Sequence, residues 1–535
     1  LIEDPDFKAT LSEIDYLHPY FSLYPRHREV LKQCFSEGTA EADCFYNQPN
    51  DLTSSGEAFV RNLIYGQLYH RDVLGRITTA YQPGDVFGHF SQITQVCKKG
   101  GCDYIKWGKM MLGVDSLFRH VSPDGTSLLH DKGMNRISAK RLGVTGCDPS
   151  SAKLSYIDAF PREGDTSWMK KTVTKASFSV FSDLAKNVNE SAEKIRKSGE
   201  RSEILYSSRD ITQHHSGVIL TRTDFKQANR LCENLLVTAE KFASIAFMHG
   251  AVYPDKALDK AMRQLLCAQH HDSITGTNNE ISFVDLMIEY RECATLLTEI
   301  IEKACRFIAG GVKTCNREDC VFVFNPLTWE RNGKCWFEIP AKFRNDEFLT
   351  LTDLKGKEYP VIRENGKGWF MAEKLPAMGY SVFRVREASS GLNVVTGNDT
   401  VIENSAFRLE VDPLKGGTIV SLYDKKEKRE LIDKNAPAPG NTVYVMKEIH
   451  DRMETQLYTT GHKLLSSEFT ADVRSEKCAL YQKLTVRVKL DTVGVLIQEI
   501  VLYKNGTTVD FRTILEDYQA EDDLLTVTFP VDIKG

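Results

Sequence analysis

The spacing of apolar residues changes character twice along the chain, and nothing else in the sequence limits the fold so strongly. Over residues 1–222, short apolar runs alternate with amphipathic stretches, the pattern of an α/β layer. Over 223–313 the period turns helical. Residues 224–248, 254–269 and 281–309 read as long amphipathic helices joined by short links, a three-helix bundle. Over 314–535 the period is two. Residues 321–324, 335–339, 380–386, 407–411, 484–490 and 494–503 read as strands, with turns at 413–417 and 504–506 between others of their kind. The expectation is a multidomain α/β + α + β protein: a barrel-like α/β domain, the helical bundle, then antiparallel β-sandwich modules.

A chain of 535 residues is too long for one core, which agrees with that division. Its net charge of -5 excludes a nucleic-acid binder driven by phosphate contacts. No apolar run approaches the roughly 20 residues that span a bilayer. The 13 cysteines form no CxxC pair and no disulfide framework, which favours reduced thiols and a cytoplasmic setting. The opening LIEDPDFKAT lacks the basic start and apolar stretch of a signal peptide, and both ends read as cut. A homo-oligomer stays open.

Two stretches carry chemistry. Gln269–Thr277, QHHDSITGT, sets two histidines and an aspartate after the apolar-periodic helix of Leu258, Met262, Leu265 and Leu266. Such a cluster suits a metal or proton-transfer site, though a polar helix end is the plainer alternative. Helical neighbours point roughly 100° apart, so one of His270 and His271 binds or reacts while the other packs or caps. The second stretch follows a helix at 56–75, expected to bury a face of Val60, Leu63, Ile64 and Leu68 and to stop at Gly75. A strand at 77–82, the turn Pro83-Gly84-Asp85, a helix at 91–99 and a strand at 103–107 then make a βαβ unit. Asp85 stands at the carboxyl end of its first strand, where open α/β layers bind ligands. An ordinary turn aspartate is the alternative.

QPGDVFGHFSQITQV and QHHDSITGT together resemble the paired signature of glycoside hydrolase family thirty-eight, the metal-dependent α-mannosidases. YNQPNDLTSSGEAFVRNLIYGQLY, HSGVILTRTDFKQANRLCE and FRLEVDPLKGGTIVSLYDKKEKREL resemble further family stretches in the same order. The resemblance implies retaining hydrolysis of terminal α-linked mannose, with an α-mannoside as substrate and a divalent cation, Zn2+ foremost. By the same resemblance Asp85 is nucleophile and metal ligand, His271 a metal ligand and Asp272 a sugar contact. A second carboxylic acid is then needed about 5–5.5 Å from the nucleophile. Asp165, after Gly164, matches the acid/base position, with Asp158 a nearby rival. His215 falls where an aromatic lines the family's sugar site. His89 is expected to brace the turn under Asp85, and Trp107 and Tyr81 to pack in the core.

The family's remaining ligands, a His-x-Asp pair on the first barrel strand, are expected upstream of Leu1. Two ligands alone would hold zinc poorly. The chain is then a segment of a longer, active protein and inactive by itself, or an inactive relative, or one that recruits ligands from elsewhere. A metal-dependent carbohydrate deacetylase and a non-catalytic glycan-binding relative are the rival functions.

Overall fold

The computed structural model describes residues 9–11, 13–107, 117–131, 205–207, 216–314, 319–449, 458–491 and 493–532, together with 186, 190 and 197. The chain forms two compact units. The first holds Leu1–Phe247, Val252–Lys303 and Met453–Gln456; the second holds Met248–Ala251, Ala304–Arg452 and Leu457–Gly535.

In the first unit, β1 (Ala9–Leu11) pairs in parallel with β2 (Ala40–Ala42) across α1 (Leu17–Leu23) and α2 (His27–Glu37). After α3 (Gly56–Tyr69) come β3 (Ala80–Tyr81), α4 (Ile93–Lys99) and β4 (Tyr104–Lys106), the βαβ unit, with β3 and β4 parallel. The hairpin β5 (Leu117–Val121) and β6 (Ser127–Asp131), with β7 (Leu205–Ser207), completes a sheet of order β3-β4-β6-β5-β7.

α3 starts where the Ser55 hydroxyl accepts from the Ala58 N–H. It runs into a π-helical turn, His70–Leu74, and stops at Gly75 with φ 78°. Its buried face differs from the expected aliphatic stripe. Ala58, Phe59, Asn62, Leu63 and Gly66 face inward, while Val60, Ile64 and Leu68 are exposed. The cause is close approach. A Cβ at Gly66 would stand 2.2 Å from the Cys44 carbonyl oxygen, so the helix lies against backbone there.

The long helices are α5 (Thr223–Met248), α6 (Asp255–Ala268) and α8 (Glu280–Gly310), with the short α7 (His271–Thr275) between the last two. Phe225 and Leu236 from α5, Met262 and Leu265 from α6 and Tyr290 and Leu297 from α8 share one core with Ile14, Phe35 and Leu74. The α/β layer and the helices are thus packed as one unit.

The second unit is antiparallel throughout its described ladders. Cys320–Asn325 and Gly379–Glu387 belong to one sheet and Arg331–Glu338 and Lys367–Leu375 to another, over a core that includes Phe337, Leu351, Phe370 and Phe383. A second set of sheets surrounds Leu409, Val443, Leu484, Val486 and Ile500. Strand Tyr481–Leu490 buries Leu484, Val486, Val488 and Leu490 and exposes Arg487 and Lys489, the alternation of a half-covered sheet. No helix among the described residues is long and apolar enough to cross a membrane.

Candidate active site

Four segments of the first unit supply the site, and a buried polar loop ties them together. That loop follows β2 and contains Asp43, Asn47, Gln48, Asn50 and Asp51, each 5% exposed or less. Buried polar groups must find partners, so their hydrogen bonds dictate what the loop touches. The Asn47 amide donates to the Leu266 carbonyl on α6 (2.8 Å), and the Asn50 N–H to the Gln269 carbonyl (3.0 Å). Pro49 bridges to His270. The Gln48 side-chain oxygen accepts the Gly84 N–H at 3.0 Å, holding the turn that carries Asp85.

The QHHD segment does not continue α6. α6 ends at Ala268, and His270 is extended, with φ -49° and ψ 141°, before α7 begins at His271. The Gln269 amide, fully buried, anchors the break to Asn229 (2.8 Å) and Glu233 (2.9 Å) of α5. The expectation that His270 and His271 point apart along one helix fails for this reason. Their rings lie side by side, with centroids 4.1 Å apart.

Hydrogen bonds assign the protons on both rings. The Gln48 carbonyl accepts from the His271 backbone N–H and from Nδ1, each at 3.0 Å. Nδ1 therefore carries the hydrogen, and Nε2 presents a lone pair. That Nε2 lies 3.9 Å from Asp85 Oδ2 and 3.7 Å from Asp272 Oδ2. His270 acts as the helix cap: its Nδ1 accepts the Asp272 N–H (3.2 Å), and its Nε2 donates to Glu13 Oε1 (2.9 Å).

Burial, then the neighbouring His270, holds the His271 pKa below its ordinary value, which keeps the imidazole neutral. Burial also opposes charge on His270, but the carboxylates of Glu13, Asp272 and Asp15 outweigh it and raise that pKa. Burial, with Glu13 beside it, pushes Asp15 up to about 7. One imidazole lone pair and the carboxylates of Asp85 and Asp272 offer atoms within 4.8 Å of one another. All three are electron-pair donors, which a divalent cation fits. Phe87 stands edge-on to the His271 ring at 6.0 Å. His89, fully buried, pairs with Asp51 (3.1 Å) and lies 3.9 Å from the Trp107 ring, below the Asp85 turn.

Residues 1–123 match the glycosyl hydrolases family 38 N-terminal domain, 213–308 the alpha mannosidase middle domain and 402–535 the family 38 C-terminal domain. The chain belongs to glycosyl hydrolase family 38. Alpha-mannosidase G of Dictyostelium discoideum is 22% identical over 578 residues, covering 95% of this chain and 51% of that protein. Alpha-mannosidase 2C1 of Homo sapiens is 22% identical over 572 residues, covering 99% and 51%. The chain thus spans about half the length of these curated relatives. An alpha-mannosidase from Enterococcus faecalis V583 has the same fold, with TM-score 0.76 at 16% identity over 99% of this chain and 71% of that one.

Within this family-38 chain, Asp85, His271 and Asp272 come together. Asp165, its rival Asp158 and His215 lie outside the described residues. Tyr81 and Trp107 are buried in the core. Sequence reasoning missed Gln48, whose role rests on a backbone carbonyl, and missed Glu13 and Asp15. A strand, β1, does precede the Asp85 strand within the chain. Just beyond it stands Glu13-x-Asp15, the His-x-Asp spacing with glutamate in first place.

Proposed function

We infer that this chain carries the catalytic centre of a retaining, metal-dependent exo-α-mannosidase acting on terminal α-linked mannose of glycans or oligosaccharides. The observation that carries the reading is the His271 Nε2 lone pair facing Asp85 and Asp272 in a family-38 chain. A bound divalent cation, Zn2+ by family resemblance, would supply Lewis-acid contact to sugar hydroxyls and orient the ring. Asp85, His271 and, from its distance, Asp272 are the residues that would hold it.

The protein's own groups do the rest. Asp85, on a stiff Pro-Gly turn and half-exposed, attacks the anomeric carbon as the glycosidic C–O bond breaks, giving a glycosyl-Asp85 ester. Asp165 is the proposed acid that protonates the leaving oxygen and then, as base, takes a proton from the water that hydrolyses the ester. Asp272 accepts a hydrogen bond from a sugar hydroxyl, and His215 is the proposed further sugar contact, by family resemblance. Gln48 keeps His271 in the tautomer that leaves Nε2 free.

A fluorinated mannosyl trapping reagent, followed by mass spectrometry, tests this reading. A covalent adduct on the peptide containing Asp-Val-Phe-Gly-His supports it. A deacetylase would give no adduct, and a glycan-binding relative would bind mannose without turnover. Normal turnover in Asp85→Ala would refute the nucleophile.

A further inference from the structure

The cation reading leaves Glu13 without a task. Its side chain is almost completely buried, at 4% exposed. Oε1 accepts from His270 Nε2, yet Oε2 has no hydrogen-bond partner among the described residues. A buried carboxylate oxygen left unsatisfied is costly, and an unmet one in a native fold points to a missing proton donor or ion. His270 cannot serve both oxygens, because its other nitrogen caps α7. Glu13, His270 and His271 present ligand atoms within 4.8 Å of one another. Asp85, His271 and Asp272 do the same, so His271 belongs to both groups.

We propose that Glu13 is a further ligand of the divalent cation held at His271, and that it makes this site carboxylate-rich. The proposal rests on the cation reading above and extends it. Glu13 reaches the site from the end of β1, with Ile14 beside it locked in the core and the Ile14 and Asp15 N–H groups bound to the Tyr46 carbonyl. Its backbone is therefore fixed, and its carboxylate already offers an atom within 4.8 Å of a His271 ring nitrogen. His270 then acts as the resting hydrogen-bond donor to Glu13 in the ion-free protein. A donor set of carboxylates around one imidazole is harder than one with two imidazoles. It narrows the margin by which zinc binds more tightly than manganese.

The test is calorimetric titration of the chelator-treated chain with Mn2+ and, separately, Zn2+. Glu13→Gln keeps the side-chain length and an oxygen to accept from His270, and removes the charge. Loss of an outer-sphere partner alone weakens metal binding by roughly 10–100-fold, so Glu13→Gln should weaken Mn2+ by at least about tenfold. Glu13→His should raise the ratio of zinc to manganese affinity. If Glu13→Gln does not fold, Glu13→Asp, which retains the charge but withdraws it by one methylene, should bind Mn2+ more weakly than the parent. Mn2+ affinity unchanged in Glu13→Gln, or in Glu13→Asp where that variant stands in, overturns the proposal and leaves the cation reading standing. So does a zinc-to-manganese ratio unchanged in Glu13→His. A parent chain that binds neither ion overturns both.

Discussion

Gln48 holds the site with two different atoms. Its backbone carbonyl takes the His271 ring hydrogen, and its side-chain oxygen takes the Gly84 N–H beside Asp85. Gln48→Ala removes only the second. Cation affinity and kcat/KM on an α-mannoside should fall by roughly 10–100-fold, the usual loss for a group that orients ligands. The urea midpoint should also fall, since a buried N–H left without its acceptor costs about 1–3 kcal/mol, while an effect on the fold alone would leave cation affinity unchanged. Histidines away from the site carry a pH signature. His70, buried against the Asp43 carbonyl (2.8 Å), has its pKa lowered by burial. The unfolded chain binds that proton near pH 6.5, but the folded one does so only at lower pH. The stability His70 contributes is therefore complete above that value and drains away as pH falls. The advantage of the parent over His70→Gln, read from urea midpoints, should be greater at pH 7.5 than at pH 5.

α3 shows how an element can satisfy a sequence pattern and still present another face. Period alone selects Val60, Leu63, Ile64 and Leu68, of which Leu63 is buried and the other three are exposed, because the backbone of residues 44–47 requires a helix that comes very close. Gly66 allows that approach, and the Asn62 oxygen accepts the N–H groups of Tyr46 (2.9 Å) and Asn47 (3.2 Å). Gly66→Ala should destabilise by about 1–3 kcal/mol or more, because the added methyl meets backbone that cannot turn aside. Ile64→Ala, on the exposed face, should stay within about 0.5 kcal/mol. Chemical denaturation of both variants checks the contrast, and equal effects would restore the aliphatic face.

Across the whole molecule, every group assigned to the cation that the structure describes lies in the first unit. Divalent cation at 100 times its dissociation constant should therefore add about 2.7 kcal/mol to the stability of that unit. Hydrogen exchange should slow around residues 43–51, 84–90 and 265–276 and stay unchanged over 319–532, with chelation reversing the effect. Slowing spread evenly over both units would contradict that assignment. The order of the parts was legible in the chain, because periods of 3.6 and 2 are local properties of successive side chains. The turn chemistry of Pro83-Gly84-Asp85 and the adjacency of His271 and Asp272 are local too, so the two halves of the site could be named. What joins them is not written in side-chain types. A Gln48 carbonyl meets a histidine 223 residues away, Pro49 pairs with His270 where the helix breaks, and a buried glutamate turns up beside both rings. Every residue carries the same carbonyl and, except at proline, the same N–H, so which of them meet is decided only when the chain packs.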